Sequence, residues 1–174
     1  INNQGAYFFL DTHVQDDPTA EQIAEATLQA TYRLKLFGIE PKVALLSHSN
    51  CGSHDTPGAQ KMRKVRELLK QRMPKLEVDG EMQGDTAWDE VLRKRMMPNT
   101  TLNGRANLFV LPNIDAANIT YNMVRVMTDG VAIGPILMGI SKPVHILTSS
   151  ATPRRVVNMT AIAAVDAQIR AQQK

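Results

Sequence analysis

The sequence predicts an α/β domain in which a largely parallel sheet is layered between helices. Short apolar runs alternate along the chain with amphipathic stretches of helical length, which is typical of parallel strands joined by crossover helices. The chain has 174 residues and an apolar fraction of 43%, so it can supply the core of one compact domain, or of one domain with a piece of another.

The predicted strands are short apolar runs that end at turn residues or at a polar loop. They comprise residues 6–10, 43–47, 76–78, 108–111 and 144–147. Residues 130–140 mix apolar side chains with Gly134, Pro135 and Gly139, so we predict a strand and a turn there rather than a helix.

The predicted helices are amphipathic stretches, and several carry end signals. Thr19, with Gln22 three residues later, has the spacing of a capping box, and Gly38 suits the C-terminal end of the same helix. Asp115 is a candidate N-cap, and Pro153 suits the first turn of the last helix. The helices are predicted at residues 19–38, 59–73, 87–96, 116–127 and 153–171.

The composition of the chain argues against two classes of binding partner, nucleic acids and membranes. The net charge is +3, and the basic residues are dispersed among acidic ones without interleaved aromatics, so we expect no nucleic-acid partner. No apolar run reaches transmembrane length, and the first residues lack a signal-peptide pattern, so we expect a soluble, cytoplasmic protein with no membrane partner. Cys51 is the single cysteine, which rules out an internal disulfide. The start without Met suggests a fragment of a longer polypeptide.

The polar loop at residues 47–53 is the first candidate binding segment. It follows a predicted strand and precedes a predicted helix, which places it at the edge where open α/β sheets bind ligands. Its hydroxyls, amide and glycine offer neutral donors for phosphate or pantetheine groups, although an ordinary polar turn has the same composition. The candidate ligand-binding residues here are Ser47, His48, Ser49, Asn50, Gly52 and Ser53.

Residues 79–85 gather three carboxylates directly after a predicted strand. They suit hydrogen bonding at the rim of a cleft, or metal binding. The alternative is a tight turn around Gly80, with Asp85 near a helix N-terminus, where its charge meets the helix dipole. No histidine lies at a ligand spacing from these acids, so we predict no metal site.

Several motifs together resemble one family. They are Ile-Glu-Pro-Lys-Val-Ala-Leu-Leu-Ser (39–47), Asp-Gly-Glu-Met-Gln (79–83), Asn-Ile-Asp-Ala-Ala-Asn-Ile (113–119), Gly-Pro-Ile-Leu-Met-Gly (134–139) and Lys-Pro-Val-His (142–145). In order and spacing they are similar to the C-terminal half of phosphate acetyl/butyryl transferases. The resemblance implies an isocitrate/isopropylmalate-dehydrogenase-like fold with two α/β domains across a cleft. Residues 1–145 would form the second domain, and residues 146–174 would return to the first, whose main body is absent.

The closing segment departs from the family at its reactive positions. Without gaps, Thr148 stands where the family has Ser, Ser149 where it has a phosphate-binding Arg, and Arg155 where it has Asp. Ser149 offers one neutral hydroxyl instead of a guanidinium, and Arg155 accepts no proton. The resemblance therefore predicts no catalytic residue in this chain. It adds Gly134, Pro135, Thr148 and Ser149 to the expected ligand-binding residues.

A closer resemblance is to the acetyltransferase-like tail of large bacterial NADP-dependent malic enzymes. Leu-Ser-His-Ser-Asn-x-Gly-Ser (46–53), Pro-Val-His-Ile-Leu-Thr (143–148) and Arg-Arg-Val-Val-Asn-Met (154–159) match that form. It implies a non-catalytic, acetyl-CoA-sensing regulatory and oligomerisation domain. The partners would be acetyl-CoA or coenzyme A, further copies of the chain, and an N-terminal malic-enzyme region of the same polypeptide. NADP and a divalent metal would belong to that region, which converts malate to pyruvate and CO2.

Two other functions remain as alternatives, and the last helix is expected to expose an apolar face. The chain could be an active phosphate acetyltransferase that moves acetyl between acetyl phosphate and coenzyme A, with His48 as a rearranged base. It could also be a purely structural oligomerisation module. Because the main body of the first domain is absent, the last helix is expected to pack its apolar face on residues absent from this chain or on another copy. That face comprises Val156, Val157, Met159, Ile162, Ala163 and Ile169.

Overall fold

A computed structural model describes residues 1–149 and 151–172, and it has the predicted α/β architecture. The strands are β1 (Phe8–Leu10), β2 (Lys42–Leu46), β3 (Glu77–Met82) and β4 (Leu108–Val110). They form one sheet in the order β1-β4-β2-β3, and every neighbouring pair is parallel. The prediction of a largely parallel sheet flanked by helices is confirmed.

Helices connect the strands and cover both faces of the sheet. They are α1 (Ala20–Leu36), α2 (Pro57–Arg72), α3 (Gly84–Trp88), α4 (Glu90–Met96), α5 (Ile114–Met127) and α6 (Pro153–Gln172). None of the helices in the described ranges combines the length and the hydrophobicity needed to traverse a bilayer. Residues 150, 173 and 174, which belong to the predicted return segment 146–174, lie outside the described residues.

The two faces of the sheet build two separate cores. Along β2, side chains alternate between them, as the pleat of a strand requires. Val43 and Leu45 pack in the core that includes α1 and α2, whereas Ala44 and Leu46 pack with residues that include Ala117 of α5. Helices α2 and α5 therefore lie on opposite faces.

The ends of the helices confirm some predictions and correct others. Thr19 and Gln22 form the predicted capping box at the start of α1. Asn113, not Asp115, caps α5, because the Asn113 side chain accepts the Ala116 N–H. The predicted helix at 87–96 is two short helices, since Asp89 ends α3 and caps α4.

Strand β3 is longer than predicted. It includes Asp79 and Glu81, so these two acids lie in a buried strand and do not form a turn at a cleft rim. Gly80 permits β3 to pair with β2 at this point. Its φ is +140°, and a Cβ atom there would lie 2.5 Å from the Leu45 carbonyl oxygen of β2. Asp85 lies in the first turn of α3, as the alternative interpretation expected.

The chain between α5 and α6 contains no strand among its described residues, so the strands predicted at 130–140 and 144–147 are wrong, whereas 130–140 is not a helix, as predicted. The apolar run at 144–147 joins no sheet, and Val144 and Ile146 are exposed. Without a neighbouring strand, the backbone N–H and C=O groups of this run make no hydrogen bonds of a sheet.

Helix α6 is attached to the body of the domain by ion pairs. The carboxylate of Asp166 is buried and pairs with Arg33 of α1, and Arg170 bonds both to Asp166 and to the Ile140 carbonyl. The expected open apolar face of α6 is correct only in part. Met159 is buried within this chain, whereas Val157 is 66% exposed.

Candidate functional site

A groove opens at the carboxyl ends of the two central strands. From β2 the chain runs to α2 on one face of the sheet, and from the adjacent β4 it runs to α5 on the other face. Such a point, where the connections diverge, is where open α/β sheets bind ligands. The groove has a volume of about 440 Å³, within the usual range for small-molecule sites.

Four segments of the chain line the groove. Its walls come from the loop after β2, the first turns of α2, the residues after β4 and the loop between β1 and α1. The lining residues are Ser47, His48, Pro57, Gly58, Lys61, Pro112, Asn113 and Asp17. The predicted site residues Ser47 and His48 are thus brought to the groove. Lys61, Asp17, Pro112 and Asn113 were not predicted, and only the rule that strand ends converge at one edge could have pointed to them.

The groove contains one cationic and one anionic side chain among its lining residues. Lys61 Nζ lies 2.5 Å from Asp17 Oδ1; the Lys61 side chain is 19% exposed and the Asp17 side chain 79% exposed. Helix α2 begins at this groove and has no acidic residue in its first turn, so the positive end of its dipole faces the groove. The positive end of α2 and Lys61 together favour an anionic group.

The 47–53 loop directs several of its donors inward. Ser49 Oγ donates to Glu81 Oε1 at 2.8 Å, and the Gly52 N–H donates to the same oxygen at 2.7 Å. Arg63 of α2 adds a third donor at 3.0 Å. Ser49 and Glu81 are fully buried, so these predicted ligand donors are used inside the protein.

Two further predicted residues also bond within the loop region. Asn50 exchanges two hydrogen bonds with Gln83, one from the Gln83 N–H at 2.8 Å and one from Asn50 Nδ2 at 3.0 Å. Ser53 Oγ accepts the Asn50 N–H at 3.0 Å. Gln83 also donates to the His48 carbonyl at 2.8 Å. Glu81 and Gln83 belong to the Asp-Gly-Glu-Met-Gln motif (79–83), which is the one signal in the sequence that pointed to them.

The other predicted site residues lie apart from this groove. Gly134, Pro135, Thr148 and Ser149, all in the described part of the chain, do not line it. Thr148 and Ser149 are exposed on the segment that leads to α6. Arg155 Nε donates to the Gly134 carbonyl at 2.8 Å, so the structure joins the 134–135 turn to Arg155, where the resemblance predicts an Asp in the family.

The site offers no cluster of metal ligands. Among residues 1–149 and 151–172, no three histidine, cysteine or carboxylate side chains come together in a group that could hold a metal ion. His48 and His54 lie side by side in the same loop, with ring centroids 5.5 Å apart. The groove lining offers hydrogen-bonding groups, the ammonium group of Lys61 and the imidazole of His48.

A family model described as phosphate acetyl/butaryl transferase matches residues 1–164. The chain is 53% identical over 165 residues to the NADP-dependent malic enzyme of Escherichia coli (strain K12), a match that covers 94% of this chain and 22% of that protein. It is 54% identical over 166 residues to the NAD-dependent malic enzyme of Rhizobium meliloti (strain 1021), covering 95% and 22%. The chain thus spans about a fifth of the length of these relatives.

A solved structure shares the fold. The phosphotransacetylase from Streptococcus pyogenes superposes with a TM-score of 0.90 at 34% identity, over 96% of this chain and 51% of that one. The family match and the shared architecture lead to the same assignment. This chain belongs to the phosphate acetyl/butyryl transferase family.

Proposed function

We propose that this chain is the acetyl-CoA-sensing regulatory and oligomerisation domain of an NADP-dependent malic enzyme, and that it does not itself transfer acetyl groups. One observation carries the proposal. This chain forms a groove at the divergence of β2 and β4, while the residues that the resemblance places at the family's reactive positions are a hydroxyl and a guanidinium bonded to a backbone carbonyl. The similarity to two malic enzymes over nearly the whole chain supports the choice of parent protein.

Acetyl-CoA would bind with its anionic part at the start of α2. Lys61 would exchange its Asp17 partner for a phosphate, because the Asp17 side chain is mostly exposed and is weakly held as a surface pair. Ser47 and His48 would donate to the ligand from the loop after β2. Asn113 caps α5 and lines the opposite wall, where its position is fixed by that cap.

The 134–135 turn and the 148–149 segment would line another part of the same cleft. The phosphotransacetylase of known structure is about twice as long as the match to this chain. We infer that the remainder of the intact protein supplies the facing wall, with Gly134, Pro135, Thr148 and Ser149 at that junction. Residues 1–145 and 146–174 would then belong to different domains, and the bond from Arg155 to Gly134 would join the two parts.

The absence of transfer follows from the electrostatics of positions 149 and 155. A hydroxyl at Ser149 cannot replace the bidentate clamp of an arginine on a phosphate. Arg155 carries a permanent charge, and its Nε–H is already engaged by a backbone carbonyl. Each lost preorganised donor removes about 3–4 kcal/mol of transition-state stabilisation. Binding of the thioester in the ground state does not depend on these interactions to the same degree.

Apolar surface on α5 supports an oligomerisation role. Ile119, Met123 and Met127 recur every four residues on one side of α5, and all three are exposed. Met127 is 75% exposed, and Val157 of α6 is exposed as well. An exposed apolar stripe along a helix, such as that of α5, is typical of interfaces between subunits. Homo-oligomerisation would cover it.

Regulation would arise from differential binding. If acetyl-CoA binds one quaternary arrangement more tightly than another, it shifts the equilibrium between them and changes the activity of the distant malate site. NADP, a divalent metal and the conversion of malate to pyruvate and CO2 would belong to the N-terminal region, and the protein would act in the cytoplasm. This chain supplies no residue to that reaction.

Calorimetric titration of acetyl-CoA into the intact protein, with malate oxidation measured in parallel, tests the proposal. We expect saturable binding and a change in malate oxidation of about 5- to 150-fold, the usual range of allosteric coupling. Neither binding nor altered oxidation would contradict it.

A working phosphate acetyltransferase is the second candidate, because His48 lines the groove and its ring is exposed. In that case His48 would take the thiol proton as general base. Release of free thiol from acetyl-CoA and phosphate, lost in His48→Gln, would favour this function. A sensor shows no such turnover.

A further inference from the structure

Glu81 is a fully buried carboxylate at the centre of the binding edge. It lies in β3, next to β2, and has no exposed surface. Its Oε1 accepts three donors, from Ser49 Oγ, the Gly52 N–H and Arg63. Its Oε2 is also buried, and no partner for it exists within residues 1–149 and 151–172. All the holding contacts of this side chain therefore converge on one oxygen.

Further bonds, made mainly by the backbone of β3, also hold the 47–53 loop. The Ser47 N–H bonds to the Met82 carbonyl at 2.9 Å, and the Cys51 N–H bonds to the Glu81 carbonyl at 3.0 Å. Arg63 also pairs with Asp55 beyond the far end of the loop. Backbone hydrogen bonds thus tie the loop to β3 at its start and middle, and the Glu81 carboxylate adds a side-chain acceptor that the loop shares with Arg63 of α2.

We propose that Glu81 is the positioning residue of the groove: its buried carboxylate holds the 47–53 loop in the one conformation that presents Ser47 and His48 to a ligand. The part of the inference that concerns acetyl-CoA rests on the proposed function. The part that concerns the loop rests on the contacts alone. Glu81 lies behind the loop, so it acts through the loop residues without touching the ligand.

For the conformation of the loop, the hydrogen-bond acceptor at position 81 matters more than the volume or charge of that side chain. In Glu81→Gln, the amide oxygen keeps the bonds from Ser49 and Gly52, and the amide nitrogen takes the position of Oε2, which has no donor to lose. In Glu81→Leu, the volume is kept, but the two loop donors, Ser49 and Gly52, lose their acceptor, as does Arg63. Each such donor costs about 1–3 kcal/mol.

The same strand provides a matched control. Asp79 is a second buried carboxylate of β3; it accepts the Gly80 and Thr101 N–H groups at 2.9 Å and lies near Arg66. It makes no bond to the 47–53 loop. Asp79→Leu therefore also removes a buried carboxylate acceptor from β3, but it leaves the bonds to the 47–53 loop in place.

The test compares acetyl-CoA affinity and amide hydrogen exchange for these variants of the intact protein, each studied well below its Tm. We expect Glu81→Leu to weaken acetyl-CoA binding about 30-fold and to speed exchange at residues 49–54 about 10-fold or more. Glu81→Gln should stay within about 3-fold of wild type in affinity, which is rescue by the acceptor alone. Asp79→Leu should lower Tm while leaving both loop readouts unchanged.

Other outcomes overturn the inference. Equal loss of affinity and equal exchange in Glu81→Leu and Asp79→Leu would mean that Glu81 supports only general stability. If the wild type binds no acetyl-CoA, the proposed function fails, and exchange at residues 49–54 still decides the positioning role. If Glu81→Leu does not fold, Ser49→Ala replaces it, since this variant removes one loop donor and leaves the carboxylate. Unchanged exchange and affinity in Ser49→Ala would likewise contradict the proposal.

Discussion

Arg155 donates its Nε–H to the carbonyl oxygen of Gly134 at 2.8 Å. Arg155, which the sequence resemblance places where the family is expected to have Asp, is therefore part of the framework between the 134–135 turn and α6. A side chain held in this way neither accepts a proton nor moves freely toward a ligand. This contact is one that an aspartate at position 155 could not make, because a carboxylate has no donor for a carbonyl oxygen.

We predict that Arg155→Met lowers the free energy of unfolding by about 1–2 kcal/mol, because a charge-assisted bond to a half-buried carbonyl is lost. Urea denaturation of the intact protein measures this. Arg154→Met is the control: Arg154 is exposed, and its change should stay within about 0.5 kcal/mol. Equal effects of the two substitutions would remove the structural role assigned to Arg155.

Lys61 and Asp17 should affect acetyl-CoA binding in opposite directions. We expect Lys61→Met to weaken binding about 10-fold, since a charged partner for a phosphate is lost, and Asp17→Asn to strengthen it about 2- to 5-fold by freeing that cation. Lys64→Met on the same helix is the control, because Lys64 is exposed and does not line the groove. Calorimetry at two salt concentrations measures all three. A higher Kd for Asp17→Asn than for the wild type would contradict the proposal that Lys61 exchanges Asp17 for a phosphate.

Asp166 should make stability fall in acid. Burial disfavours its charge, but hydrogen bonds from Arg33 and Arg170 outweigh burial and lower the pKa of this carboxyl. A lowered folded pKa contributes stability that is present above the unfolded value of about 3.9 and is lost as pH falls through the folded pKa. Asp166→Asn should cost about 3 kcal/mol at pH 7, because Arg33 loses its partner, and less near pH 3. Urea unfolding at both values measures the difference; a constant difference would contradict this.

His145 should contribute a second pH dependence, in a higher range. Burial, and then the charge of Arg33, lower the pKa of His145, although Asp166 opposes them. The unfolded chain therefore takes up a proton near pH 6.5 before the folded chain does, and stability falls as pH drops below that value. His145 Nδ1 accepts the Leu137 N–H at 3.2 Å, and glutamine can accept the same bond. His145→Gln should lose less stability than wild type between pH 7.5 and 5.5 in urea unfolding. Identical losses would count against the assignment.

The sequence predicted the fold through its alternation of apolar runs and amphipathic stretches, and the resemblance predicted the family. It failed at residues 144–147, whose apolar pattern looks like a strand but meets no neighbour in the sheet. It failed again at Glu81, because a carboxylate in a strand cannot be placed without knowing which loop lies beside it. Local patterns specify elements, whereas contacts across the sheet depend on strand order.

The same limit applies to the groove. Ser47 and His48 were predicted from the loop after β2, while Lys61 and Asp17 came from other segments that only the strand order brings together. Conversely, Ser49 and Gly52 looked like free donors in the sequence but are used by Glu81. The composition of a loop does not reveal which of its donors face inward.

The most direct measurement pairs calorimetric binding of acetyl-CoA with a thiol-release assay on one preparation of the intact protein. We predict saturable binding with no acetyl transfer above the uncatalysed rate. Rapid formation of free coenzyme A from acetyl-CoA and phosphate, or a flat titration, would contradict a groove that holds the thioester without reacting with it.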